Sequence, residues 1–391
     1  MNSKERVLTT FKHVEPDRVP ISDQLIVSRV ASEILGRHAY TDGGEFAKDS
    51  IELLLKGERN FLVNRYIEDM VELHQKLDLD FIAIQGPVPP KENTSESLPK
   101  KIAPNTYRYE NKETEIFNIA RFDESSGLFF SIDSSYKREG IKAVEKEVDS
   151  MRKELEDGFV LDETTLEGLE GIINRVKGER AIGFSAGVGI PPETHWLEGA
   201  LLKPEWVELY LDYQLRKAMV KIEEGAKIGV DFFLSECDIA DNRGPIYSPA
   251  IFKKMIVPRC KKLVDLAHSY GCYYIYRTDG NTRPLWKMLF DEIGVDGYME
   301  IDVGAGMDLG EMKEAYGDKI TLLGNVDCAK TLIYGTKEEI FAEVKACIQK
   351  AAKGGGYILT SSNSIHYNIP AKNFLYMVEA GKKFGSYPLL S

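Results

Sequence analysis

Residues 273–301 read YYIYRTDGNTRPLWKMLFDEIGVDGYMEI, and the fold is decided there. A short apolar run at 273–276 and another at 297–301, both rich in aromatic and β-branched residues, are strand-like and separated by a connection long enough to hold a crossover. Two such strands lie parallel. The same unit recurs outward in both directions, at 19–22, 80–84, 181–185, 231–235, 320–323 and 357–360, usually with a dozen or more helix-patterned residues between runs. Eight parallel strands alternating with helices predict one α/β domain spanning 1–391, a closed (β/α)8 TIM barrel.

Helix signals fall where that plan needs them. Over 204–229, Trp206, Leu209, Tyr210, Tyr213 and Leu215 recur at near-helical spacing, and Gly225 and Gly229 mark the end. A second helix is expected over 249–268, opening after Ser248 with proline at an early helical position. A third starts at Thr336, with Glu339 three residues later as a capping box. The glycines at 354–356 precede a strand, which makes them a helix-to-strand turn sooner than a phosphate cradle. Residues 86–150 break the rhythm: Pro87, Pro89 and Pro90, then polar strand-like pieces near 106–109 and 116–122, then a charged helical stretch from Tyr136. They read as an insertion after strand two, placed at the C-terminal rim as a lid or entrance wall.

Composition narrows the function classes. Net charge is -12, from 62 acidic against 50 basic residues without a local basic cluster, which disfavours a nucleic-acid partner. The five cysteines, Cys237, Cys260, Cys272, Cys328 and Cys347, are odd in number and lack CxxC spacing, so neither a disulfide framework nor a thiolate knuckle is expected. No apolar run approaches the roughly 18 residues of a membrane span, and the start of the chain reads as a charged helix, consistent with a cytoplasmic setting.

In a barrel of this kind chemistry is carried by the loops that follow the strands. Here those loops are unusually acidic: Asp23, Gln24 and Gln85 come first, then Ser185, then Glu236 and Asp238. Arg277, Asp279 and Asn281 follow, and after them Glu300, Asp302, Asn325 and Asp327; the last loop holds Ser361, Ser362, Asn363 and His366. Carboxyls converging on one mouth shift one another's pKa toward neutrality and can move protons or hold a metal. Glu236, Asp238, Asp279, Glu300 and Asp327 are therefore the candidate catalytic groups, with Glu236, Asp279 and Glu300 as candidate metal ligands. Strand alternation would aim Glu236 and Asp238 to the same side. Arg277 offers a planar fork for a carboxylate or phosphate, or else a salt bridge to Asp279 or Glu300. Asn281, Asn325, Asn363 and His366 are candidate substrate contacts, although Asn and Asp in such loops also serve turns. His195 and Trp196, after the third strand, could stack on a planar substrate or pack a helix. His268 ends a helix, where it suits the dipole.

Taken together these motifs resemble the uroporphyrinogen decarboxylase-like superfamily, which includes true decarboxylases and corrinoid-linked methyltransferases. The resemblance is carried by the opening at residues 5–20, ERVLTTFKHVEPDRVP, by GPIYSP at 244–249, by DGN at 279–281, by GNVD at 324–327 and by SSNSIH at 361–366. It covers nearly the whole chain. True decarboxylases carry two arginines in an early loop that neutralise substrate carboxylates; the corresponding stretch here, SDQLIVSR at 22–29, has Arg29 alone. Thiol-activating methyltransferases of the superfamily bind zinc through a HisXaaCys after strand five and a later Cys; this chain has Arg277 and Asp279, and Ser361 to Asn363, at those places. The resemblance thus implies methyl transfer between a small methylated or methoxylated substrate and a corrinoid held by a partner protein. The acidic cluster would protonate the leaving group, and zinc or a harder metal would sit on oxygen ligands. The rival expectations are a cofactor-free decarboxylase, with Asp23 or Asp279 steadying a protonated pyrrole, and a non-catalytic ligand-binding barrel. Partners in view are the small substrate, the corrinoid protein and a second copy of the chain as a homodimer.

Overall fold

The computed structural model describes residues 1–86, 91, 98–159 and 161–389; Pro87, Pro89 and Pro90 lie outside them. Among the described residues the strands are, in chain order, β1 (Phe81–Ile84), β2 (Lys100–Ala103), β3 (Thr106–Glu110), β4 (Phe117–Asp123) and β5 (Leu128–Ser134). They continue as β6 (Ala181–Ser185), β7 (Phe232–Leu234), β8 (Ala240–Asp241), β9 (Gly244–Pro245), β10 (Tyr273–Arg277), β11 (Gly297–Met299), β12 (Thr321–Val326) and β13 (Tyr357–Ser361). Seven of them form one parallel sheet in the order β1-β6-β7-β10-β11-β12-β13.

Strict alternation along these strands separates two apolar layers. Phe81, Ala83, Ala181, Phe232, Leu234, Ile275, Met299, Leu323 and Ile358 point inward and fill the cylinder. Their neighbours Ile82, Ile182, Phe233, Tyr274, Tyr298, Leu322 and Tyr357 face outward onto the helices. Val7 and Phe11, from the helix Ser3–Phe11, plug the N-terminal end, with the Phe11 ring stacked on Tyr273 at 4.5 Å.

The eighth strand expected at 19–22 is too short for a regular element, yet it closes the barrel. Leu359 N donates to Pro20 O at 2.9 Å and Ser22 N to Leu359 O at 3.2 Å, while Asp80 N donates to Ile21 O at 2.8 Å on the other side. Ionic bonds hold this segment in register. The fully buried Asp80 accepts from Arg6 at 2.5 Å, from Arg18 at 2.6 Å and from the Ile21 amide at 2.7 Å, and Arg6 also pairs with Asp17. Two guanidiniums and an amide supply the partners without which a buried carboxylate would be very costly. The arginines and Asp17 of the 5–20 motif are thus a closure device at the barrel's N-terminal end.

The helix expected over 204–229 is present as Pro204–Ile228, and the Thr336–Glu339 capping box is formed in both directions. Gly354, Gly355 and Gly356 all take positive φ in the turn before β13. The helix expected over 249–268 is interrupted: Pro249–Ile251 and Val257–Ser269 flank a π-type turn at Phe252–Ile256. Pro258 is the reason, since it lacks an N–H and its ring crowds the carbonyl one turn back. His268 does not merely face the helix dipole; its Nε2 lies 2.8 Å from Asp296 Oδ2. No helix of the described residues is long and apolar enough to cross a membrane.

Between β1 and β6 the chain builds a separate antiparallel sheet, β2-β3-β4-β5, followed by the helices Ser135–Glu139 and Ile141–Asp157. β3 and β4 are the two polar pieces seen in the sequence. β2 and β5, the sheet's edges, were not anticipated; all four side chains of β2 are exposed, so no burial period marked it. The β4–β5 turn docks on the loop after β13: Tyr367 Oη donates to Glu124 O at 3.0 Å. A Cβ at Gly127 would stand 2.4 Å from the Tyr367 ring, so only glycine allows that approach.

Candidate functional site

The inward register of β10 continues past its end. Ile275 fills the barrel, so Arg277 and then Asp279 emerge above it on the same side. Gly280, at φ +84, lets the chain turn back against the Ala240 backbone, where a Cβ would meet the carbonyl carbon at 2.5 Å. That contact fixes Asp279 at the mouth. Asp279 N donates to Asp238 Oδ1 at 3.3 Å, and Asn363 Nδ2 to Asp279 Oδ2 at 2.5 Å.

Glu300 reaches the same place by a different device. As the residue after Met299 it would by alternation face the outer helices with Tyr298, but it takes φ +66. This left-handed conformation, costly for a residue with a Cβ, turns the chain as β11 ends and leaves the side chain at the mouth. Gln24 Nε2 donates to its carboxyl and to Asn363 O. Carboxyl oxygens of Asp238, Asp279 and Glu300 lie within 4.8 Å of one another.

Arg277 makes neither of the salt bridges its neighbours invited. Its guanidinium donates instead to the amide oxygens of Gln24, at 3.2 Å, and Gln85, and Gln85 in turn donates to Gln24 O at 3.0 Å. A cation braced by neutral amides retains its charge for an incoming anion.

Burial governs the protonation of the cluster. Desolvation, with the nearby charges of Asp238 and Asp302, raises Asp279 to about 7 against the opposing Asn363 bond and Arg277. Burial holds Glu300 well above the usual carboxylate range, with Arg277 opposing and Asp279 adding to it. Asp23, wholly buried, is pushed up to about 7 by desolvation although it accepts from the Ser361 and Gln24 amides. Asp42 was missed in the sequence. It precedes the helix Gly43–Leu55, its side chain caps no amide, and burial raises it well above its ordinary value with Arg277 as the opposing charge. Its only sequence signal was Asp before paired glycines, which reads as a helix start.

Several expected residues stand elsewhere. Glu236 does not share a side with Asp238: β7 ends at Leu234, alternation lapses, and Glu236 swings out to pair with Lys221 at 2.7 Å on the helix Pro204–Ile228. Asp238 takes its place among the three carboxyls, a correction to the expected ligand set. Asp327 caps the following turn through the amides of Ala329 and Lys330. Asn325 is buried between β11 and the helix Lys337–Ala351, donating to Ile301 O at 3.2 Å and receiving the Cys347 thiol. Asn281 accepts from Arg283 N within its own turn. His366 bonds backbone with both ring nitrogens, Nε2 with Cys328 O and Nδ1 with Asn368 N. Arg29 is likewise committed to Tyr367 O and Ile369 O. His195 and Trp196 line a different cavity, beside the antiparallel sheet.

A thiolate zinc site does not fit this mouth. Among the described residues no cysteine joins the carboxyls clustered there; the sulfur of Cys328 instead accepts from Ser362 Oγ at 3.3 Å. The all-oxygen set of Asp238, Asp279 and Glu300 suits a hard divalent cation instead.

Comparison with known proteins places these features in context. Residues 222–384, which include Asp238, Arg277, Asp279, Glu300 and Asn363, match the family model "Uroporphyrinogen decarboxylase (URO-D)". Uroporphyrinogen decarboxylases of Geobacter sulfurreducens and Geobacter metallireducens are 28% and 27% identical over 144 residues, covering 36% of this chain. The match spans 39% of each relative's length. A solved structure described as a methyltransferase from Methanosarcina mazei superposes with TM-score 0.62 over 98% of this chain and 99% of that one, at 17% identity, and shares the fold.

Proposed function

The chain belongs to the uroporphyrinogen decarboxylase-like superfamily, and on that premise we propose that it is a methyl-transfer enzyme working between a small methylated or methoxylated substrate and a corrinoid protein. The observation that carries this reading is the balance of the mouth: Asp238, Asp279 and Glu300 stand together against the cation Arg277. With Arg277 facing three carboxyls, the mouth offers little to neutralise a substrate with many carboxylates. It suits instead one whose leaving oxygen must be protonated or drawn to a cation.

Asp279 is the proton donor in this scheme. Its carboxyl, raised to about 7, is protonated in a large fraction of molecules at neutral pH and is a better acid than water for a departing alkoxide or phenoxide. Asn363 orients it, and Gln24 holds Glu300 and Asn363 together beneath the substrate. Arg277 clamps an anionic substituent, positioned by Gln24 and Gln85. A divalent cation held by the three carboxyls would replace the Asp279 proton in this role, polarising the leaving oxygen as a Lewis acid. A corrinoid carried by the partner protein would supply the nucleophile toward the methyl group.

Mixing the purified chain with reduced corrinoid proteins and a panel of methoxylated aromatics and methylated compounds tests this directly. Substrate-dependent loss of the reduced corrinoid absorbance is expected, with Asp279→Asn slowing it about 100-fold or more, the usual range for a general acid. No absorbance change across the panel counts against the reading.

The second reading is decarboxylation, favoured by the identity of the curated relatives and by Asp23 and Asp279, two carboxyls near neutrality within one mouth. Release of carbon dioxide from uroporphyrinogen would support it, and an early loop with Arg29 alone, already committed to Tyr367 O and Ile369 O, argues against that substrate.

A further inference from the structure

Beside the antiparallel sheet lies a cavity of about 790 Å³ to which Asp238, Asp279 and Glu300 do not contribute. Its walls carry four rings in contact sequence: Tyr136 lies parallel to His195 at 4.3 Å, His195 is 6.5 Å from Trp196, and Trp196 is 4.2 Å from Tyr210. Glu147, from the helix Ile141–Asp157, and Glu193 are the acidic residues of the lining, which also holds Asn118, Ser131, Ser134 and Thr194. Oε2 of Glu147 is buried without a hydrogen-bond partner among the described residues. Glu147 and Tyr210 also border a second space of about 360 Å³.

We propose that this cavity binds a methylated organic ammonium ion, with the rings as its walls and Glu147 as its counter-charge. Aromatic faces are negative and attract a diffuse cation, while offering few acceptors to a primary ammonium. The volume is too large for a bare metal ion. Lys137, a cation at this lining, is exposed and donates to Ser131 O; Lys221, at the second space, is matched by Glu236, and Lys217 lies against Tyr213. Burial keeps His195 toward its neutral form. Burial and Glu193 raise Glu147 to about 7, the condition of an acid that ionises when a cation arrives. This inference does not depend on methyl transfer at the barrel mouth.

The test is calorimetric titration of the intact chain with choline chloride and with its neutral isostere 3,3-dimethylbutan-1-ol. Choline should bind at least about tenfold more tightly and release protons at pH 7, seen as a dependence of the heat on buffer ionisation enthalpy. Glu147→Gln should weaken choline about tenfold and abolish the proton release while leaving the melting temperature close to that of the parent. If that variant fails to fold, Tyr136→Leu should weaken choline selectively. Equal affinity for the two compounds, no saturable choline binding, or unchanged binding in both variants overturns the proposal.

Discussion

Asn363 Nδ2 stands 2.5 Å from Asp279 Oδ2, joining the loop after the last strand to the loop after β10 across the barrel mouth. A bond donated to a carboxylate favours its charged form, so Asn363 is one of two groups, with Arg277, that keep the Asp279 pKa from rising further. Asn363→Ala should move the alkaline limb of the kcat/KM profile upward by about one unit, the equivalent of one charge-assisted hydrogen bond. A steady-state pH profile of parent and variant checks it; a limb that stays put removes Asp279 as the titrating acid.

Asp80 ties three separate contacts into the seam where the barrel closes. Asp80→Asn leaves the buried Arg6 and the partly buried Arg18 short of charge and should cost about 3–5 kcal/mol in urea unfolding. The exposed pair Lys337–Glu379 is the control, and Glu379→Gln should change stability by less than about 1 kcal/mol. Similar losses in the two variants would show that the seam gains nothing from its buried charges.

What the sequence could reveal of this mouth followed strand period. Arg277 was legible because β10 keeps its alternation to its end; Asp279 and Glu236 both lie two residues beyond their strands, and the Gly280 turn keeps the first at the mouth while Lys221 draws the second away. Glu300 reaches the mouth by a device the pattern does not contain: its φ of +66 departs from strand geometry. Asp42 was hidden because it comes from a helix start folded over the rim, a tertiary contact with no local trace. The fold itself was legible in eight recurring apolar runs. Its one irregular member, 19–22, needed Arg6, Arg18 and Asp80 to be seen as the closing seam.

The buried carboxyls make folding stability depend on pH with a definite sign. Asp23 and Asp279, both raised to about 7, bind protons in the folded state that the unfolded chain has released, so their stabilising effect is complete below about pH 4. It is lost as pH rises toward about 7. Stability by urea titration should therefore fall across this window, on the order of a few kcal/mol for the wholly buried Asp23. Asp42→Asn should gain on the parent as pH increases above about 4 and match it at lower pH, because Asp42 is raised in the same direction. A gain that is independent of pH would assign the effect to packing.

Glu300 offers the sharpest separation of charge from shape. Burial favours the neutral form of its carboxyl, so Glu300→Gln preserves both length and the acceptor for Gln24. Stability at pH 7 should then change by less than about 1 kcal/mol, and the limb belonging to Asp279 should remain near 7 because no negative charge has been removed from its side. Glu300→Gly behaves differently: it relieves the left-handed backbone, worth about 1 kcal/mol or more, but strips Gln24 of its acceptor and opens space beneath Asp279. Its expected signature is a weaker substrate interaction without gross unfolding. If Glu300→Gln instead lowers the Asp279 limb by about a unit, Glu300 carries a charge in the resting protein, and the mouth is a pair of carboxylates awaiting a cation in place of a proton reservoir.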